Sequence, residues 1–185
     1  MRIKPGILIE GADHSGKTTL AKHLADVFKI KYFHFSKETG VYRGSFDYFN
    51  GYFYDIEQNP YSSFVFDRQF VSEIVYAKVL NRKTFINDTL RDVIVNKFNR
   101  YGYIFILVDS DNEWDESREQ YIDKDLNDKV KKEFNKQFEL LKFNYKLKVN
   151  PFKQEKSEIV KLIQNEINER DRPKDDEDID ISIQQ

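Results

Sequence analysis

The sequence predicts an α/β three-layer sandwich: about five parallel strands with helices on both faces. Three observations predict it. Short apolar runs alternate with stretches of helical periodicity along the chain, the pattern of strands joined by crossover helices. The helical stretches each carry one apolar stripe at three- and four-residue spacing, as a helix laid on a sheet requires. At 185 residues, 39% of them hydrophobic and 15% aromatic, with 16 Phe and 11 Tyr, the chain is long enough for one domain with a substantial core.

The elements follow in order. The apolar run 6–10 reads as the first strand and ends in a glutamate. Residues 17–28 form a helix with Leu20, Leu24 and Val27 or Phe28 on one side. The second strand is 31–35, and residues 45–58 read as a helix despite Gly51. Strand 63–67 ends in Asp67, and helix 69–80 carries Val71, Ile74, Val75 and Val79. Helix 88–101 repeats Leu90, Ile94, Phe98 and Tyr101. Strand 103–109 ends in Asp109. Residues 110–124 have little apolar periodicity and many charges, which suits an exposed lid. Helix 125–143 runs Leu126, Val130, Phe134, Phe138 and Leu141. Strand 145–150 and helix 155–169, with Ile159, Leu162, Ile163 and Ile167, complete a domain over 1–170.

The formal net charge of −2 is unevenly spread. Residues 171–185 hold six acids and two bases and read as a flexible acidic tail, which leaves the body at about +2. That bias suits a small anion and is too weak to imply nucleic-acid binding. The chain has no cysteine, so disulfides and thiolate chemistry are excluded. No apolar run is long enough to span a membrane, and Met1 leads straight into a short strand rather than a signal peptide. The expectation is a soluble protein of the cytoplasm.

Residues 11–18, Gly-Ala-Asp-His-Ser-Gly-Lys-Thr, fit the pattern G-x-x-x-x-G-K-[ST] between a strand and a helix. Glycines allow a tight turn whose amides converge on oxygen anions, and the positive end of the helix dipole adds to them. Gly11, Ala12, Asp13, His14, Ser15, Gly16, Lys17, Thr18 and Thr19 therefore form the expected cradle for ATP. Lys17 supplies a mobile charge for the β- and γ-phosphates, and the Thr18 hydroxyl a ligand for Mg²⁺.

Three classes use such a loop: small-molecule kinases, GTP switches, and motors or nucleic-acid end-processing enzymes. A guanine-reading N-K-x-D is absent, since Asn96-Lys97 is followed by Phe98-Asn99. Paired acids at a strand end, typical of motors, are also absent. Instead Asp67-Arg68 closes a strand. Asp67 can hold a metal-bound water or take a proton, and the fork of Arg68 can clamp a substrate phosphate. That combination suits phosphoryl transfer, which is mostly positioning and charge neutralisation.

The segments EGADHSGKTTLAKHL (10–24) and FDRQFVSEIVYAKVL (66–80) resemble the phosphate loop and the D-R-x-x-x-S segment of thymidylate kinases. The chain also looks like the short, phage-encoded branch of deoxynucleoside monophosphate kinases, which would place it in a host cytoplasm. The resemblance implies that Asp13 meets the acceptor sugar and Arg68 the acceptor phosphate. It implies that Ser72 and Tyr76 line the substrate, Tyr76 against a 2′-hydroxyl. It also implies a nucleotide partner and a homodimer built on packed helices.

The chain departs from that family at Gln69, in the segment after the second strand, and in the short spacing from the phosphate loop to Asp67. Gln69 stands where an aromatic is usual. The family's R-E-P-G segment is replaced by HFSKETG (34–40), where Lys37 takes part of the arginine's work. His14 follows Asp13 where some members have an arginine, so the lid candidate Arg118 is expected to close over the phosphates, with Lys124 as a second choice. In the aromatic segment 35–53, Phe46 and Phe49 are the candidates for stacking on a base, and Arg43 for its edge or phosphate. His23 and His34 read as packing or surface residues. Deoxynucleoside kinases, polynucleotide 5′ kinases and a non-catalytic nucleotide-binding module remain the alternatives.

Overall fold

The computed structural model describes residues 6–34, 63–110 and 123–170. Five parallel strands form one sheet: β1 (Gly6–Glu10), β2 (Lys31–His34), β3 (Phe64–Asp67), β4 (Tyr103–Val108) and β5 (Tyr145–Val149). Their spatial order is β2-β3-β1-β4-β5. Every described connection is a crossover, so each strand points the same way and the carboxyl ends gather on one edge of the sheet. After β3 the chain crosses β1 to build β4 and β5. The crevice at the carboxyl ends, beside such a change of direction, is where open α/β sheets bind ligands.

The helices are α1 (Lys17–Phe28), α2 (Phe70–Val79), α3 (Asp88–Arg100), α4 (Lys124–Leu140) and α5 (Lys156–Arg170). Strand alternation sorts the core into two layers. On one face Ile7, Ile9, Val65, Ile104, Ile106, Val108 and Val149 pack on Leu20, Leu24, Ile159, Ile163 and Ile167 of α1 and α5. On the other, Leu8, Phe64, Phe66, Tyr103, Phe105 and Leu107 pack on α2, α3 and α4. The second layer is aromatic. Phe66 stacks on Tyr103 at 5.7 Å between ring centres, Phe98 meets Tyr103 edge-on at 5.0 Å, and Phe105 meets Phe143 at 4.8 Å.

Helices α3 and α4 start on side-chain caps that reach an amide three residues on. Asn87 accepts from the Leu90 amide at 2.9 Å and Asp123 from Leu126 at 2.8 Å. Helix α4 ends three residues earlier than its apolar spacing predicts. Leu141 is extended there, which turns Leu141 and Phe143 into the core. Asn99 stitches the turn, donating to the Lys142 carbonyl and accepting from the Asn144 amide. On the edge strand β5, Lys146 and Lys148 lie over the Phe138 ring, their heads 4.8 and 5.4 Å from its centre. Their stems cover apolar surface while the charges stay near water. Among the described residues no helix is long and apolar enough to cross a membrane.

Candidate active site

The loop between β1 and α1 sits at the carboxyl edge of the sheet. Two of its glycines are required by geometry. Gly11 has φ +151, and a Cβ there would lie 2.4 Å from the Val108 carbonyl oxygen; Gly16 has φ +86 and packs under Pro151 and Phe152. Gly16 is also the residue before α1, and it gives that helix no side-chain cap; the first turn holds no acid. The leading amides of α1 therefore keep their donors for an anion.

Lys17 is 4% exposed and folds back along its own loop, donating to the Ala12 carbonyl and lying 3.4 Å from Ser15 Oγ. Burial and the nearby Arg68 charge push its pKa down to about 7, against the pull of Asp13, Asp67 and Glu10. A polyphosphate beside it would reverse that balance and favour the ammonium.

Asp67 closes β3 with its side chain wholly buried. One carboxylate oxygen, Oδ2, accepts three bonds: from Thr18 Oγ1 at 2.6 Å, from Tyr32 OH at 3.0 Å and from His34 Nδ1 at 2.9 Å. The other oxygen, Oδ1, has no hydrogen-bond partner among the described residues. A buried carboxylate oxygen without a donor, next to a threonine hydroxyl at the start of a phosphate-loop helix, fits a hard cation that takes oxygen ligands. No three His, Cys, Asp or Glu gather as a metal cage among the described residues. Mg²⁺, which commonly binds through one or two protein groups plus phosphate oxygens, suits such a sparse donor set.

Arg68 comes next in the chain and sits at φ +69, a conformation uncommon for a residue with a side chain. The turn sends its guanidinium back over the loop. Nη2 pairs with Asp13 Oδ1, and Nη1 lies 3.4 Å from the Tyr76 hydroxyl, which itself donates to Asp13 Oδ2 at 3.0 Å. The guanidinium carbon also lies 5.6 Å from the centre of the Tyr76 ring. Burial opposes ionisation of Asp13, but Arg68, Lys17 and the Tyr76 hydroxyl outweigh it and hold the carboxyl below its usual range. Arg68 and Asp13 are each about one-fifth exposed, so a ligand can reach both.

No family model matches the chain, and no curated protein matches it in sequence. Solved structures do match. The YorR protein of Bacillus subtilis, in complex with phosphorylated GDP, is 18% identical and superimposes with a TM-score of 0.66 over 90% of this chain and 99% of its own. Deoxyadenosine kinase from M. mycoides, with products dCMP and a flexible dCDP, is 15% identical with a TM-score of 0.55 over 89% and 99%. Thymidylate kinase from Candida albicans is 20% identical with a TM-score of 0.54 over 89% and 93%. The chain has the fold of the P-loop nucleotide kinases.

Within that P-loop kinase fold, the described structure brings together Asp13, Lys17, Thr18, Asp67, Arg68 and Tyr76 at one edge of the sheet. Thr18 and Thr19 are exposed at the start of α1. Ser72 is placed differently from the role the resemblance implies. It is 6% exposed, and its hydroxyl donates to Glu10 Oε2 at 2.5 Å rather than facing the loop. Lys37, Arg43, Phe46, Phe49 and Arg118 lie outside the described residues. Three further residues join the site without having been singled out for it: Glu10, Tyr32 and His34. The signal for the last two was the parallel pairing of β2 with β3, which sets His34 opposite Asp67 and Tyr32 opposite Val65.

Proposed function

We propose that this protein transfers a phosphoryl group from ATP to a deoxynucleoside monophosphate, with a thymidylate-like acceptor first among candidates. The observation that carries the reading is the placement of Arg68. Its guanidinium stands over the phosphate loop, reachable from solvent, paired with the loop's own Asp13 and with Tyr76. An arginine fork there can receive the phosphate of an acceptor. Asp13 and Tyr76 are then left beside the sugar.

The donor half follows from the loop. The amides of α1 and Lys17 hold the β- and γ-phosphates, and Thr18 with Asp67 would hold Mg²⁺. The ion, when bound, neutralises charge on the phosphate oxygens. Lys17, released from the Ala12 carbonyl, follows the moving phosphoryl group. Tyr32 and His34 keep the Asp67 carboxylate from rotating. Arg118 is proposed to close over the phosphates from the segment 110–124 and to keep water out. Lys37, Arg43, Phe46 and Phe49 are proposed for the acceptor base and phosphate.

The fold-sharing deoxyadenosine kinase makes nucleosides the natural competitors in the test. A panel of deoxynucleosides and their monophosphates is incubated with ATP and Mg²⁺ and scored for ADP and for the phosphorylated product. Turnover confined to monophosphates, and lost in Arg68→Ala, supports the reading. Turnover of nucleosides alone moves the function to a nucleoside kinase. ATP binding without turnover of any acceptor leaves a nucleotide-binding module.

A further inference from the structure

Glu10 is the last residue of β1, its side chain wholly enclosed, and no step of phosphoryl transfer calls on it. It nevertheless takes three bonds from the opening of α2. Its Oε1 accepts from the Gln69 amide at 2.8 Å and from the Ser72 amide at 3.2 Å, and its Oε2 accepts from the Ser72 hydroxyl at 2.5 Å. One residue earlier in β1, the Ile9 carbonyl accepts from the Arg68 amide at 2.9 Å. Residues 68, 69 and 72 are thus all tied to the end of one strand.

We propose that Glu10 is the positioning residue of Arg68: its carboxylate ties the first turn of α2 to β1 and so holds Arg68 in the left-handed turn from which the guanidinium reaches Asp13 and Tyr76. A non-glycine residue at positive φ is costly and persists where its surroundings over-determine it. Gln69 alone does not do so, because its side chain caps only the neighbouring Phe70 amide, at 2.7 Å. The remaining amides of that helix start need an acceptor, and an anion is favoured there. Ser72 supplies the third donor, which accounts for its hydroxyl facing inward. Glu10 touches neither phosphate loop ligand nor acceptor; it acts through the backbone that carries Arg68.

The geometrical half of this proposal stands alone, while its consequence for binding rests on the acceptor role given to Arg68. Three variants separate the two. Glu10→Ala removes all three side-chain ties and leaves only the backbone bond from the Arg68 amide to the Ile9 carbonyl. Glu10→Gln keeps them, since its carbonyl accepts from both amides and its NH₂ donates to the Ser72 oxygen. Ser72→Ala removes one. Crystal structures of the variants read the turn without any substrate: Arg68 stays at positive φ on Asp13 in Glu10→Gln and leaves it in Glu10→Ala.

Calorimetry then compares dTMP with a non-hydrolysable ATP analogue. Glu10→Ala weakens dTMP about tenfold or more, the loss of roughly one well-placed charge-assisted contact, and leaves the analogue within about twofold. Glu10→Gln stays within about threefold on both, by the same affinity scale.

The proposal is overturned if Arg68 keeps its turn in Glu10→Ala, if Glu10→Gln disrupts it equally, or if both ligands weaken together. A wild-type protein that binds no deoxynucleoside monophosphate overturns the acceptor reading instead, and the crystal structures still decide the turn. Should Glu10→Ala fail to fold, Ser72→Ala is read the same way, with about a threefold loss of dTMP affinity expected.

Discussion

Two carboxylates close neighbouring strands of this sheet, and both are wholly buried, yet they do different work. Asp67 points to the α1 face, in register with Ile9, and crowds three donors onto one oxygen while the other has none among the described residues. Glu10, one residue past Ile9, points to the opposite face and has both oxygens bonded by the start of α2. In the proposed reading the first meets a cation and the second holds a turn. Burial alone does not mark a reacting group. An unpartnered oxygen beside the phosphate loop is the better mark, because Tyr103, Asn127 and Gln137 also carry buried polar atoms without a partner among the described residues and lie outside that loop.

The largest effect tests the donor side. Lys17→Ala is expected to lower turnover by roughly 10²- to 10³-fold, the scale of removing one positioned donor from developing charge, with the melting curve of a folded protein. A smaller loss would mean that the loop is not where transfer occurs. Next, Asp67→Asn should raise the Mg²⁺ concentration needed for half-maximal binding of an ATP analogue by about 10- to 100-fold, while Glu10→Gln should not change it. Equal shifts in the two variants would erase the distinction between the carboxylates.

How much of this was legible in the sequence depends on the distance over which the signal acts. The parallel sheet and its helices follow from local periodicity, as does the phosphate loop, whose residues are contiguous. The position of Arg68 beside the loop was legible too, because it adjoins a strand end. Tyr32 and His34 were not, since they meet Asp67 only when β2 lies beside β3, and strand order is a property of the assembled sheet. Ser72 was assigned to the substrate by the resemblance, from its spacing after Asp67. Its direction depends instead on Glu10, 62 residues away, drawing the hydroxyl inward. The end of α4 was misplaced because Leu141 and Phe143 are apolar in either conformation, and only the core decides which one they take.

Acid–base linkage sharpens the comparison further. Burial pushes the Glu10 pKa up to about 7, against the bonds from Ser72, the Gln69 amide and the Arg68 charge. The folded protein therefore binds a proton that the unfolded chain, with its ordinary carboxyl, releases between about pH 4.5 and 7. Stability falls as pH rises through that window. Glu10→Gln has no such proton to lose, so its stability relative to wild type should grow across the window by about 1–3 kcal/mol and then level off. Urea titrations at a series of pH values measure it, and a difference that stays flat would show that Glu10 is ionised at little cost. The smallest effect is expected from Tyr32→Phe, which removes one of three donors to Asp67. A rise in the Mg²⁺ requirement of up to about tenfold would place Tyr32 in support of the ion, and no change would leave it to packing.

The central claim is that two separate anion sites meet at this edge of the sheet, one built on Lys17 and one on Arg68. It is tested most directly by measuring equilibrium binding of a non-hydrolysable ATP analogue and of dTMP to Lys17→Ala and to Arg68→Ala. Lys17→Ala should lose the analogue and keep dTMP, and Arg68→Ala should do the reverse. Loss of both ligands in each variant, or dTMP bound undiminished by Arg68→Ala, would contradict the account.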